Sequence, residues 1–239
     1  MILSVSGSMS MARWGSVLGK YNINLTQHLS SGTIQFVDVV DVVSGFGSGF
    51  GSGTGSGSGL KGVYERVESF FQDGGSEDGG GQGRGGDRNL EGGEGEGEGG
   101  KGESEGNRGG IIILDDITTL HWTGLASPLE LGRFCRALRG LCVKNDAVLV
   151  IRHHVLSDKE ASGDLLFRSL HALCTYHMDI QPLSSGRSGV VSGQIALHQG
   201  PNSTSTKTSI VQTRPRSRAL QYKLTDTSAV YFERGAMGL

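Results

Sequence analysis

Two carboxylates stand side by side at Asp115-Asp116, directly after Ile111-Ile112-Ile113-Leu114. Such a pair can hold a magnesium ion through water or hydroxyl partners, and a hydrophobic run closing in Asp-Asp is the form a Walker B strand takes. The four apolar residues, three of them β-branched, predict a strand buried on both faces, as at the centre of a parallel sheet. In open α/β sheets ligands collect at the C-terminal strand ends, where helix N-termini converge. On these six residues alone the acids either serve a nucleotide or simply begin the next turn. The choice depends on what the rest of the chain brings to them.

A nucleotide site of this class needs a phosphate cradle, G-x-x-x-x-G-K-[ST], whose backbone N–H groups and Lys hold the β- and γ-phosphates. The Gly-Lys pairs present are Gly19-Lys20-Tyr21 and Gly100-Lys101-Gly102, and neither supplies the hydroxyl for magnesium. The chain also begins at what reads as the second strand of such a fold, without the strand–helix unit that carries the cradle. Self-contained ATP hydrolysis is therefore not expected, and Asp115 and Asp116 read as a degenerate Walker B-like pair.

A second apolar run, Ala147 to Ile151, empties into Arg152-His153-His154. Neighbouring side chains at a strand end point opposite ways, so the two imidazoles do not converge on one ion. His171 and His177 stand on other elements at no ligand spacing. No metal and no cofactor are expected. Arg152, His153 and His154 are instead candidate interface residues, placed to meet a phosphate or a neighbouring subunit. Cations cluster once more at Arg214, Arg216 and Arg218, with Lys223 in the strand that follows. On an extended segment the three Arg project to one side and form a stripe suited to phosphate contacts. Arg187, in the loop Ser184-Ser185-Gly186-Arg187-Ser188-Gly189, is a further candidate. The bland alternative is a solvated edge that guards against strand pairing.

The elements that must position these residues are legible as a series. Ile2 to Ser6 reads as a strand, Ser8 to Lys20 as a helix with Met11, Trp14, Val17 and Leu18 at helical spacing, and Ile34 to Val40 as a second strand. Strand, helix, strand is one βαβ crossover. Thr118 to Gly124 reads as a connection. Ser127, Pro128 and Glu130 then spell a capping box with Pro at the first helical position. The buried stripe behind it is Leu131, Phe134, Cys135, Leu138, Leu141 and Cys142. A further helix is expected over Asp164 to Cys174, strands over Tyr176 to Leu183 and Val190 to His198, and a closing hairpin, Ala219 to Leu224 with Ser228 to Glu233, turning at Thr225-Asp226-Thr227. Parallel α/β units followed by antiparallel strands predict a RecA-like, mixed but mostly parallel sheet with flanking helices and a C-terminal antiparallel hairpin.

Composition divides the chain in three. Of its 239 residues 41 are Gly, and these concentrate between Ser44 and Gly110 among Ser and Glu. Residues 1–43 and 111–239 are expected to be the two parts of one RecA-like domain. Residues 44–110 read as a Gly/Ser/Glu-rich insertion, mostly disordered because it cannot bury enough surface to offset its ordering entropy. A short amphipathic helix over Lys61 to Phe71 is the exception. About 170 residues remain, enough for one core. The formal net charge of −2 hides an asymmetry: six cations face twelve anions within 44–110, but fourteen face ten from Ile111 onward. A mildly basic C-terminal part permits RNA contact without demanding it. The three Cys, Cys135, Cys142 and Cys174, form no C-x-x-C pair, so neither zinc nor a disulfide framework is indicated. No signal sequence and no apolar run of about 18 residues occurs, so an intracellular, soluble chain is expected.

The order and spacing of these segments resemble the Elongator complex subunit 6 family. The likeness rests on Val17-Leu18-Gly19-Lys20 leading to Ile34-Gln35-Phe36-Val37, on Ile112 to Asp116, and on the Leu131 to Arg139 helix with the Val148 to His154 strand. Its most specific part is Leu220-Gln221-Tyr222-Lys223-Leu224 through Tyr231-Phe232-Glu233-Arg234-Gly235. The resemblance implies a RecA-like fold without working Walker motifs. It implies assembly with the related subunits 4 and 5 into a hetero-hexameric ring, association with the remaining Elongator subunits, and tRNA binding in support of wobble-uridine (U34) modification. The modification itself would be carried out by the catalytic subunit elsewhere. Cytoplasmic and nuclear localisation, without membrane attachment, is expected. The chain departs from the family in the missing first strand–helix unit and in the Gly/Glu insertion. A RecA-like ATPase and a free-standing RNA-binding protein are the alternatives.

Overall fold

The computed structural model describes residues 1–5, 8–45, 59–73, 109–155, 164–183, 186, 190–203 and 211–235. Most of the Gly-rich tract, and the disorder expected of it, lie outside these residues, as does Arg187. The architecture is mixed α/β, with a four-stranded parallel sheet of order β2-β1-β3-β4 and a separate four-stranded antiparallel sheet of order β5-β6-β7-β8. The parallel strands are β1 (Ile2–Ser4), β2 (Phe36–Asp38), β3 (Ile111–Asp115) and β4 (Val148–Ile151). The antiparallel ones are β5 (Tyr176–Gln181), β6 (Gly193–Gln199), β7 (Leu220–Leu224) and β8 (Ala229–Phe232). Antiparallel pairing thus extends well beyond the expected closing hairpin, because β5 and β6 pair along six residues before β7 joins. The β7–β8 hairpin itself forms, its turn closed by the Thr225 amide donating to the Ser228 carbonyl at 2.8 Å.

The first crossover runs β1, α1 (Ser8–Gly19), α2 (Leu25–Ser30), β2. Asn24, whose side chain accepts from the Gln27 amide, starts the unexpected α2. β2 is shorter than its apolar run. Asp38 accepts from the amides of Val40 and Asp41 and so caps α3 (Val39–Ser44), turning a β-branched stretch helical. α4 (Leu60–Asp73) bears out the amphipathic helix within the tract, and buries Val63 and Val67 completely. The connection after β3 is largely α5 (Ile117–Trp122), which buries Ile117, Thr118 and Leu120. α6 (Pro128–Lys144) begins with the full Ser127–Glu130 capping box. α7 (Leu165–Leu173) is capped by Asp164, which accepts from the Phe167 amide at 2.9 Å.

One core gathers Leu3, Ile112, Leu114, Ile117, Val63, Val67, Leu131, Leu138 and Leu166 between α4, α5, α6, α7 and one face of the parallel sheet. A fully buried aliphatic side chain contributes about 1.5–3 kcal/mol. Cys135 and Cys142 belong to this core, and burial pushes their thiols up to about 12 and about 11. The opposite sheet face departs from expectation. Ile111 and Val148 are register partners, as are Ile113 and Val150, and all four point away from the core. Ile111, Val148 and Val150 are 56%, 58% and 46% exposed. Before their C-terminal ends these strands are therefore buried on one face rather than two. No described helix is long and apolar enough to cross a membrane.

Candidate functional site

Residue register builds the first cluster. Leu114 pairs with Ile151 across β3 and β4, so Asp115 and Arg152 fall next to each other on the face away from the core. The Arg152 Nε lies 2.8 Å from Asp115 Oδ1, and Trp14 Nε1 from α1 donates to Asp115 Oδ2 at 3.3 Å. The Asp115 carboxylate is buried, while Arg152 keeps part of its guanidinium in solvent. The next residue breaks the strand. Asp116 adopts φ 67° and ψ 61°, a left-handed conformation that short polar side chains tolerate. This turn starts α5 and brings Thr119 Oγ1 to donate to Asp116 Oδ2 at 2.8 Å. Arg152 Nη2 and His154 Nε2 each stand 3.8 Å from an Asp116 oxygen. The His154 amide donates to the buried Thr118 hydroxyl at 2.7 Å, tying the β4 exit to α5.

Asp115, Asp116, Arg152 and His154 are thus brought together at neighbouring strand ends. Both carboxylates are engaged by the chain's own groups, Asp115 by Arg152 and Trp14 and Asp116 by Thr119. A cation approaching Asp115 would have to displace Arg152 and Trp14. Among the described residues no group of three His, Cys, Asp or Glu side chains is arranged to hold a metal ion. His153 points away from its neighbours, with Nε2 3.3 Å from Asp164 Oδ2.

His153 instead opens a chain of rings that strand and helix spacing leave invisible. Its ring centroid lies 6.0 Å from that of Phe167 on α7, which is 5.9 Å from His171 and 5.8 Å from His177 on β5. His171 and His177 stand 5.6 Å apart, edge to face, and His177 stacks on His198 of β6 at 5.8 Å. The perpendicular and stacked planes keep the ring nitrogens from converging on one ion. The chain of rings connects the end of the parallel sheet, through α7, to the antiparallel sheet.

Burial, the largest influence, lowers the basicity of both His153 and His177 below the usual 6.5, against the attraction of Asp164 and Asp179 respectively. A histidine less basic when folded takes up its proton more readily when unfolded. Stability is then fully present above the unfolded value of about 6.5 and declines as pH falls below it, until the folded groups also titrate. Urea unfolding is expected to show a lower midpoint at pH 5.5 than at pH 7.5, with a smaller difference in His177→Phe. A midpoint unchanged or raised on acidification would show that these imidazoles are not held neutral.

The C-terminal cations are arranged differently from the expected stripe. Arg214 forms an isolated antiparallel bridge with Leu197, whereas Arg216–Arg218 is a single 3₁₀ turn after Pro215. The turn rotates successive side chains apart, so the three Arg do not share one side. Arg214 pairs with Glu233 and Arg216 with Asp179, each at 2.5 Å. Arg218 has no ion-pair partner among the described residues, and Lys223 is exposed on β7.

A family model described as Elongation complex protein 6 matches residues 54–226. Comparison with curated proteins yields no match. Among solved structures, the chain is similar to a KaiC-like protein from the hyperthermophilic archaeon Pyrococcus horikoshii OT3. The TM-score is 0.46 and the identity 9%, over 97% of this chain and 75% of that one.

Proposed function

The chain belongs to the Elongation complex protein 6 family, whose members are non-catalytic Elongator subunits, and from that premise we propose that it serves in a hexameric ring with subunits 4 and 5. In this reading the domain is RecA-like, the ring binds tRNA, and tRNA binding supports U34 modification by the rest of the complex, in cytoplasm and nucleus. The 44–110 tract is an insertion into that domain. The observation that carries the pseudo-ATPase part is the engagement of both strand-end carboxylates by the chain's own Arg152, Trp14 and Thr119. Arg152 and His154, at the same strand ends, are the proposed subunit-facing groups, and His153 supports them from the ring chain behind. The rival, a RecA-like ATPase, would require the purified chain to hydrolyse ATP alone and to lose that activity in Asp115→Ala.

For RNA, the proposed contacts are Arg214, Arg216, Arg218 and Lys223, with Arg187. Cations that meet phosphates add affinity without reading sequence. Replacing Arg214, Arg216 and Arg218 together by Ala in the assembled ring is expected to weaken binding by similar factors for different tRNAs. The slope of log affinity against log salt should flatten by about 0.7–0.9 for each phosphate that the variant no longer neutralises. A triple variant that assembles and keeps both affinity and salt slope would reduce these residues to a solvated edge.

A further inference from the structure

The segment before β7 and the residues after β8 enclose an open cleft of about 470 Å³, lined by Thr213, Arg214, Ser217, Arg218, Glu233 and Arg234 among others. Three guanidinium groups and one carboxylate meet there. The carboxylate is already neutralised, because Glu233 Oε1 lies 2.5 Å from Arg214 Nη1. Two cations remain for a ligand. Among the described residues Arg218 has no ion-pair partner, and Arg234 Nη2 makes only a 3.5 Å contact with the neutral Gln194 Oε1. Both are exposed on defined backbone: the Arg218 amide donates to the Pro215 carbonyl at 2.8 Å, and Arg234 closely follows the end of β8. Arg216, in the same 3₁₀ turn, is drawn instead to Asp179 on β5.

We propose that this cleft is a phosphate seat in which Arg218 and Arg234 bind the phosphoryl oxygens, Arg214 and Glu233 form its wall, and Thr213 and Ser217 offer hydroxyls. Planar guanidinium forks match phosphate oxygens in pairs, which a point-charge ammonium does not. A phosphoryl group brings a third oxygen and more negative charge to two forks than a carboxylate does, so it is the better fit. The source of that phosphate, an RNA backbone, rests on the RNA-contact reading above; the chemistry of the seat does not. Relative to the three-Arg stripe, the seat adds Arg234 and removes Arg216.

The full-length chain, labelled at its Arg Nε–H groups, would be titrated with inorganic phosphate at constant ionic strength balanced by chloride. A saturable shift of two Arg resonances is expected, one lost in Arg218→Ala and the other in Arg234→Ala. Either substitution should raise the dissociation constant about tenfold, as losing a charged hydrogen-bonding group does, whereas Arg136→Ala, at an exposed position of α6, should change it less than about twofold. Arg218→Lys should recover only part of the loss. Unchanged thermal unfolding of these surface variants would show that folding is intact. A linear shift that chloride reproduces, or an Arg136→Ala cost equal to that of Arg218→Ala, would overturn the seat. Adding tRNA then separates the two readings. Displacement of phosphate from the shifted resonances identifies RNA as the source, whereas saturable phosphate binding that tRNA does not disturb upholds the seat and counts against RNA contact there.

Discussion

Leu138→Ala is expected to lower the unfolding free energy by about 2–5 kcal/mol, measured by urea denaturation of the otherwise unchanged chain. Leu138 is wholly inaccessible on α6, in one cluster with Leu131, Phe134 and Leu141. Truncation removes transfer free energy and leaves a cavity that the helix cannot close, since the capping box and Pro128 fix its start. The neighbouring Val143→Ala is the internal control. Val143 lies on the same helix and is 70% exposed, so its replacement should cost under about 0.5 kcal/mol. A Leu138→Ala cost as small as that of the control would mean that α6 does not pack as described.

Arg152→Ala is expected to destabilise by about 2–4 kcal/mol. Removing one partner of a fully buried ion pair typically costs about 3–5 kcal/mol, because the other charge is left unpaired. The lower range applies because the Arg152 side chain is 37% exposed and water can partly take its place. Among the described residues Asp115 retains only Trp14 as a donor in this variant. Adding Asp115→Ala should therefore recover part of the loss, giving a double-mutant coupling of at least about 1 kcal/mol. Additive single and double losses would show that the 2.8 Å approach carries no net interaction.

Local signals read well where one residue dictates one geometry. Ser127, Pro128 and Glu130 specified the start of α6 and its inward stripe, and the apolar runs specified β3 and β4 with their polar exits. They read poorly where a cap or a tertiary contact overrides propensity. Val39 to Val43 has strand chemistry, yet Asp38 caps it into α3, and packing against α4 holds it there. Thr118 and Thr119 resemble a linker until the left-handed turn at Asp116 starts α5.

The strand-end cluster was half legible. The two acids and Arg152 each sit at the end of an apolar run, but only the β3–β4 register makes Asp115 and Arg152 partners. Trp14 lies 101 residues from the acid to which it donates, a separation that no spacing rule spans. The ring chain from His153 to His198 draws on four elements or their exits and has no periodicity to find. Arg214 to Arg218 shows the converse, with alternation in sequence undone by Pro215 and a 3₁₀ turn.

Membership of Elongator is the central claim, and one measurement tests it most directly: the native size and composition of the complex that carries the chain in its own cells. Tagged at its chromosomal locus and purified without crosslinking, the protein is expected in an assembly far larger than its own 25.2 kDa, together with subunits 4 and 5 and the remaining Elongator subunits. Recovery as a 25.2 kDa monomer, or as an oligomer of this chain alone with no Elongator subunit present, would contradict it.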